Sequence, residues 1–485
     1  MSSARFGLGM NKSSAAAAPA SLYAAREDIY PRKVQGTFRR LKWAALIALL
    51  GIYYGAPWLR WDRGPEAPDQ ALLVDMPGRR AYFFSIEIWP QEVYYLTGLL
   101  ILGAIGLFLV TAIAGRVWCG FTCPQTVWTD LFMWVERLIE GDRPARMALD
   151  RAPFSAAKAL KKTAKHGAWL AISFVTGGAW IMYFTDAPTL MREFFVGASS
   201  PEVYGFTALF TATTYVLAGF AREQVCIYMC PWPRFQGAMF DEHSLIVTYE
   251  DWRGEPRGGA KHGQSFEGRG HCVDCGLCVQ VCPTGVDIRK GQQMACIGCA
   301  LCVDACNSIM PRFGLPGNLI TYDSIANQAA RMKGETPRVR WLRPRTIVYA
   351  AILLVVAAAM AAALALRVRT EVHVIADRAP LFVRLSDGDV RNGYTVKILN
   401  MERADKEFRL AVAGVPGATL NVPGFTAEQA DHAVLPVKGD SIGTFRVFVR
   451  TRPDRLGARA RDIEFAATDS VSGRVYRRTN VFNGP

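Results

Sequence analysis

Cys272-Val-Asp-Cys275-Gly-Leu-Cys278-Val-Gln-Val-Cys282-Pro283, followed by Cys296-Ile-Gly-Cys299-Ala-Leu-Cys302-Val-Asp-Ala-Cys306, is the stretch from which the rest of the chain can be read. Each run has the C-x2-C-x2-C-x3-C spacing of a bacterial two-cluster ferredoxin, in which the fourth cysteine of a run serves the other cluster. Three thiolates on a tight loop wrap three corners of a cubane. The fourth, carried onto the next turn, reaches across. The spacing therefore predicts one [4Fe–4S] cluster on Cys272, Cys275, Cys278 and Cys306, and a second on Cys296, Cys299, Cys302 and Cys282. Gly276 and Gly298 suit loops whose backbone N–H groups approach sulfur. Asn307 stands where a proline usually follows the last cysteine, which weakens a stop signal and removes no ligand. The alternative for eight such thiolates is zinc in two four-cysteine sites.

Working outward, all 12 cysteines lie between Cys119 and Cys306. A disulfide-stapled secreted protein would spread them through its exported domains, so the clustering points to metal. The 485 residues are 51% apolar and 20% charged. That is too apolar for a disordered chain and too charged for one wholly inside a membrane.

Five uncharged runs are long enough, or nearly so, to cross a hydrocarbon core of about 30 Å. They are residues 43–59, 93–115, 167–185, 203–221 and 346–366, with Trp58, Tyr94, Tyr95 and Trp169 at boundaries, as in an aromatic belt. Buried core helices are the alternative, but five in one chain fit it poorly. Ala15–Ala18 has no apolar core of signal-peptide length. Arg39, Arg40 and Lys42 precede the first run, and nine Lys and Arg residues from Arg116 to Lys165 follow the second. Only Arg192 lies between the third and fourth, and the segment 222–345 is again basic. By the positive-inside rule, the N-terminus, the second–third loop and 222–345 are cytoplasmic, and everything after the fifth span lies on the far side. The net charge of +14 thus follows loop topology, and nucleic acid is not expected as a partner.

The resulting organisation is a tail (1–38), a four-helix transmembrane region (39–221), a cytoplasmic segment (222–345) with a ferredoxin domain at about 262–315, a fifth transmembrane helix (346–366) and a β domain (370–485). In the last, Tyr394-Thr-Val-Lys-Ile398 and Thr444-Phe-Arg-Val-Phe-Val449 alternate with period two. Asp387-Gly388-Asp389 and Asn392-Gly393 read as turns between strands, which suggests an antiparallel, immunoglobulin-like sandwich. His373 and His432 are isolated there and read as surface or packing residues.

A second set of cysteines is quieter. Cys119-Gly-Phe-Thr-Cys123-Pro124 follows the second run, and Cys226-Ile-Tyr-Met-Cys230-Pro231 follows the fourth. Each proline disfavours helix at the cysteine before it, so each span breaks there, and Pro124 can open a new helix. That helix carries Val127, Leu131, Trp134, Val135 and Leu138 on one stripe, fit for the membrane surface. Cys123 sits at its N-terminus, where the dipole favours thiolate. Thiolates are soft ligands suited to Cu(I) or iron–sulfur chemistry; two packed structural thiol pairs are the alternative. Met229, Met239, His243 and His271 are further candidate ligands.

Together with Tyr30-Pro-Arg32, Glu87-Ile-Trp-Pro-Gln-Glu-Val-Tyr-Tyr95, Gly115-Arg-Val-Trp118 and Arg253-Gly-Glu-Pro-Arg257, these motifs resemble the FixG/CcoG/RdxA group, accessory proteins for assembly of cbb3-type cytochrome c oxidase. The resemblance covers about residues 25–485. It implies a multi-pass bacterial inner-membrane protein with two cytoplasmic [4Fe–4S] clusters and a periplasmic immunoglobulin-like domain. It also implies reduction of Cu(II) to Cu(I) for insertion into the oxidase, a catalytic role that would fall on Cys119, Cys123, Cys226 and Cys230, with copper as their ligand. The implied partners are the membrane, copper ions and oxidase assembly factors or a cytoplasmic electron donor; a homodimer is allowed. An electron-relay subunit and a redox-sensing assembly scaffold are the competing functions. The spacing alone reaches the clusters and the topology, not the copper.

Overall fold

The computed structural model describes residues 28–64, 67–261, 263–426, 429–456 and 460–484. The chain divides into two compact units, Met1–Met360 and Ala361–Pro485.

The first unit is built on helices α1 (Thr37–Gly55), α2 (Tyr94–Ala114), α3 (Pro124–Glu140), α4 (Arg143–Arg151), α5 (Ala156–Ile181), α6 (Ala187–Val196) and α7 (Pro201–Val216). A small antiparallel meander, β1 (Leu72–Asp75), β2 (Arg80–Phe83) and β3 (Ile86–Ile88), lies in the α1–α2 connection. Among the described residues, three helical stretches are long and apolar enough to cross a membrane: Pro90–Ala114, Pro201–Met229 and Pro344–Ala365. They give the protein its membrane character. The other two expected spans are also helical, as α1 and α5, but both helices start in charged turns. Arg39, Arg40 and Lys42 lie in α1, and Lys158, Lys161, Lys162 and Lys165 in α5.

Those cations explain α3. Asp130 is buried, and Arg39 donates to both its oxygens at 2.9 and 2.8 Å, with Lys42 3.9 Å away. Burial alone would raise the Asp130 pKa; Lys42 and Arg39 hold it below the ordinary carboxylate value. Glu136 pairs with Arg146 at 2.6 Å and Arg222 at 2.8 Å, and Glu140 with Lys162 at 2.9 Å and Lys165 at 3.0 Å. The expected membrane-facing stripe on α3 is therefore corrected. Val127 and Val135 are buried within the protein, and only Trp134 and Leu138 are exposed. The acids turn the inner face toward the cationic helix ends and take part of the apolar stripe with them.

Strands β4 (Ile246–Tyr249) and β5 (Ile320–Asp323) pair antiparallel and bracket both cysteine runs, so the ferredoxin segment reaches beyond 262–315. Its second cysteine helix, Leu301–Asn307, is tied to α1. Asp304 accepts the N–H groups of Phe38 at 3.2 Å and Arg39 at 2.7 Å, satisfying two orphan donors of the first helical turn. A Cβ at Gly36 would overlap the Asp304 carboxylate. Asn307, in the place of a proline, clips the following loop: its side chain accepts from the Asn318 N–H at 2.7 Å and donates to the Asn318 side chain at 3.0 Å.

In the second unit, one sheet holds β6 (Thr370–Ala376), β7 (Val383–Arg384), β8 (Val390–Asn400), β10 (Thr419–Asn421) and β12 (Ser441–Thr451). The other holds β9 (Lys406–Ala413), β11 (His432–Val437), β13 (Ala460–Asp469) and β14 (Val475–Asn483). Every pairing is antiparallel, and buried residues alternate along β8 and β11, as a two-sheet core requires. Tyr394 Oη of β8 donates to Val481 O of β14 at 2.8 Å, joining the sheets. Asn392-Gly393, expected as a turn, lies inside β8. Asn392 is buried and donates to Asn483 O at 2.8 Å, while a Cβ at Gly393 would overlap the Asp377 carboxylate. The pair is turn-like in composition because a neighbouring side chain needs the space.

Replacing Asp304 by Ala should cost about 1 kcal/mol, the usual value of a helix N-terminal acceptor. It should also speed amide exchange at Phe38 and Arg39 selectively, read by hydrogen–deuterium exchange. Unchanged exchange there would show that the carboxylate does not hold α1 to the ferredoxin segment.

Candidate functional site

The two C-x3-C-P motifs occupy equivalent turns. Four residues before the first cysteine of each, the chain takes a positive φ: +56° at Gly115 and +34° at Arg222. A π-turn follows, Trp118–Thr122 in one copy and Val225–Met229 in the other. Each is closed by the second cysteine, Cys123 N–H to Trp118 O and Cys230 N–H to Val225 O, both 2.8 Å. Pro124 and Pro231 then lead into α3 and the helix Trp232–Met239. Arg222 bears a side chain where the first copy has glycine. Its guanidinium is tied down by Glu136 at 2.8 Å and Gly219 O at 2.7 Å.

These turns pack directly on the second cysteine run. Cys119 and Cys226 lie against an apolar cluster of Val281, Ile297, Cys299, Leu301 and Ala305. A Cβ at Gly120 would fall 2.9 Å from Cys299 Cα and 3.0 Å from its nitrogen. Arg116 locks the contact: it donates to Cys296 O at 2.8 Å, Pro233 O at 2.6 Å and Met294 O. Cys119 Sγ donates to Gln236 Oε1 at 3.3 Å, and Gln236 is fully buried.

The ferredoxin cysteines surround two small apolar cavities. Cys272, Cys275, Cys278 and Cys306 line the first, with Tyr249, Leu277, Leu319 and Ile320. Cys282, Cys296, Cys299 and Cys302 line the second, with Val247, Val286, Ile288 and Ile297, and Cys278 stands on the wall between. The two loops repeat one backbone pattern, with φ positive at Asp274 and Gly276 in the first and at Gly298 and Ala300 in the second. Left-handed residues of this kind turn successive N–H groups to one side, an anion-receiving arrangement.

A family model described as "4Fe-4S dicluster domain" matches residues 221–325, one described as "4Fe-4S binding domain" matches 96–141, and one described as "IG-like fold at C-terminal of FixG" matches 360–485. Protein RdxB of Cereibacter sphaeroides is 47% identical over 96% of this chain and 98% of its own. Nitrogen fixation protein FixG of Rhizobium meliloti is 47% identical over 93% of this chain and 91% of its own, and RdxA of C. sphaeroides 49% over 88% and 90%. The chain belongs to the FixG/RdxA family. It is an iron–sulfur membrane protein of the electron-transport oxidoreductase type, and its C-terminal unit is the FixG immunoglobulin-like domain.

The donor sets fit the clusters that this FixG/RdxA membership implies. Burial pushes the Cys296 and Cys306 thiols up to about 12 and Cys278 to about 11. Thiolates at these three positions are therefore favoured by a bound cation, and metal ligation deprotonates such thiols outright. Among the described residues, no three His, Cys, Asp or Glu side chains are gathered as around a single ion. Four soft donors line each cavity, the number and type that a [4Fe–4S] cluster takes.

At the helix-end site, burial pushes Cys119 up to about 12; Cys123 pushes the same way, Arg116 opposes it, and Cys226 and Cys230 add to the rise. The four thiols thus lie within electrostatic reach of one another. One expectation is corrected here. The Thr126 and Gln125 amides at the α3 N-terminus do favour the Cys123 thiolate, but burial outweighs them and its pKa is raised. His243 and His271 line neither cysteine cavity, and Met229 is exposed. In the sequence Arg116 has no role at the site beyond its charge and its place in the Gly115-Arg-Val-Trp118 stretch, although its nearness to Cys119 was a signal; Gln236 carries no motif.

Gly120→Ala should disturb the second cysteine run because backbone cannot yield as a flexible side chain can. Iron content should fall from about eight toward about four per chain, with the first cluster's paramagnetic signal retained. Full iron content in that variant would mean that the close approach has no bearing on the cluster site.

Proposed function

We propose that this protein is a five-span inner-membrane cupric reductase serving cbb3-type oxidase assembly, with its ferredoxin segment in the cytoplasm and its β domain in the periplasm. Cys272, Cys275, Cys278 and Cys306 hold one [4Fe–4S] cluster, and Cys282, Cys296, Cys299 and Cys302 the other. When bound, the clusters supply one-electron transfer at low potential. The observation that carries the reading is the packing of Cys119 and Cys226 on the Cys299 loop, so that a soft thiol site adjoins a cluster-ligand loop.

The reaction is Cu(II) + e⁻ → Cu(I), with a cytoplasmic reductant as the electron source. Cys119, Cys123, Cys226 and Cys230 receive the copper ion as substrate. Thiolate donors favour Cu(I), which makes reduction at the site favourable. Cys119 is protonated in the free site and must lose its proton to solvent as the metal binds, and the Arg116 guanidinium favours the resulting thiolate. Gln236 accepts from Cys119 and orients its sulfur.

A second reading has one observation in its favour. The "4Fe-4S binding domain" model covers residues 96–141 and thus Cys119 and Cys123, so the four thiols would hold iron–sulfur themselves and the protein would act as an electron relay.

Replacing Cys119 and Cys226 by Ser should abolish Cu(II) reduction by anaerobic, detergent-purified protein while leaving about eight irons per chain. An unchanged reduction rate at normal iron content would remove the helix-end thiols from the reaction. About twelve irons in the wild type, falling to about eight in the variant, would select the relay. The topology has a separate test: a reporter fused after Gly263 should be active only in the cytoplasm, and one at the C-terminus only outside it.

A further inference from the structure

A separate cavity lies away from the cysteine sets, open to solvent on one side. It encloses about 1060 Å³ between the segment that leads into α1, the outer side of α3 and the ferredoxin segment. Val281 and Pro283, which flank Cys282, form one wall with Leu301, which precedes Cys302. The opposite side is cationic: Arg32, Lys33, Arg39, Arg40 and Arg137 line it.

Only two carboxylates, Asp130 and Asp142, oppose these charges within the lining, and both are engaged. Asp130 takes Arg39 Nη1, and Asp142 accepts the Lys33 backbone N–H at 2.9 Å. Arg39 is 8% exposed, yet its Nη2 has no hydrogen-bond partner among the described residues. That nitrogen is sealed from solvent, and Arg39 is already held by Asp130 and the Trp43 ring, so the reachable guanidinium groups of the lining are those of Arg32, Arg40 and Arg137, whose natural complement is an oxyanion. No described carboxylate lies within ion-pair distance of Arg32, Arg40 or Arg137. Burial and the like charge of Arg39 pull the Arg137 pKa down, a repulsion that a bound anion would relieve.

The cavity also has an apolar side. Trp43 and Trp134 meet edge to face at 6.0 Å, and Arg39 lies 4.8 Å over the Trp43 ring. Trp134 and, beyond it, Leu138 are exposed. A cationic hollow beside the first turn of an apolar helix, flanked by amphipathic tryptophans, has the chemistry that holds anionic headgroups.

We infer that this cavity is a phosphate site, in which Arg32, Arg40 and Arg137 bind the phosphate of an anionic amphiphile whose apolar part lies along Trp43 and Trp134. A phospholipid headgroup and a soluble phosphate carrier such as a flavin mononucleotide share this chemistry. The occupant would abut Val281 and Pro283, which flank Cys282.

The test uses the full-length, iron-loaded protein in detergent, titrated with dioctanoyl phosphatidylglycerol, dioctanoyl phosphatidylcholine, inorganic pyrophosphate and flavin mononucleotide, with binding read by native mass spectrometry. One phosphatidylglycerol should bind per chain, at least tenfold more weakly in Arg40→Gln/Arg137→Gln, with iron content unchanged. Stoichiometric binding of pyrophosphate or flavin mononucleotide, with the same loss in the variant, upholds the phosphate site and assigns it to a soluble carrier. If the double variant loses iron, Arg32→Gln/Arg40→Gln, both at exposed positions, replaces it. Equal binding in wild type and variant, phosphatidylcholine binding as tightly as phosphatidylglycerol, or no stoichiometric binding of any phosphate carrier overturns the inference.

Discussion

The close approach of the Gly120 turn to the Cys299 loop is the contact on which the first unit depends. It admits no side chain, because the space a Cβ would need is filled by backbone of the cysteine run. Arg116 secures it by donating to carbonyls of both Met294 and Cys296 on one side and Pro233 on the other. Carbonyls bonded in this way cannot move independently of the helix end. The ferredoxin segment is therefore fastened to the ends of apolar helices, rather than tethered by a linker. Asp304 adds a second fastening, at the first turn of α1.

Buried charge is arranged to make that fastening tolerable. Cations gathered at helix ends would repel one another if left alone. α3 answers with Asp130, Glu136 and Glu140, each buried and each paired with cations from other segments. Pairs of this kind add little net stability once desolvation is counted, but removing one partner strands a buried charge. They act chiefly as registration marks, since α1, α4, α5 and the Arg222 turn can each meet α3 in only one way. The two helix-end thiol pairs inherit their relative placement from this arrangement.

Much of this was legible in the sequence for a specific reason. Ligand spacing within a short run is a local property, and so is period-two alternation; the cysteine runs and the strands of the second unit declare themselves without reference to anything distant. What stayed hidden is what depends on long-range contact. The stripe Val127, Leu131, Trp134, Val135 and Leu138 has helical spacing, but which part faces lipid is decided by acids that look surface-exposed until their partners, up to about 90 residues away, are known. Asn392-Gly393 has turn composition, yet a hydrogen bond to Asn483 and the bulk of Asp377 place it within a strand. At Cys123 the helix N-terminus was visible and the burial was not, and the two effects have opposite signs.

The duplication of the C-x3-C-P turn shows how backbone strain and charge are linked at this site. In the first copy the left-handed residue is Gly115, which adopts that conformation without a steric penalty. In the second it is Arg222, for which the same conformation is unfavourable. The strained copy is also the one that holds Glu136, through the guanidinium that the side chain makes available. A glycine there would relax the turn but leave Glu136 with Arg146 and the more distant Lys165 for a mostly buried carboxylate. The strain at Arg222 and the burial of Glu136 therefore stand together: the ion pair compensates the backbone, and the backbone aims the ion pair.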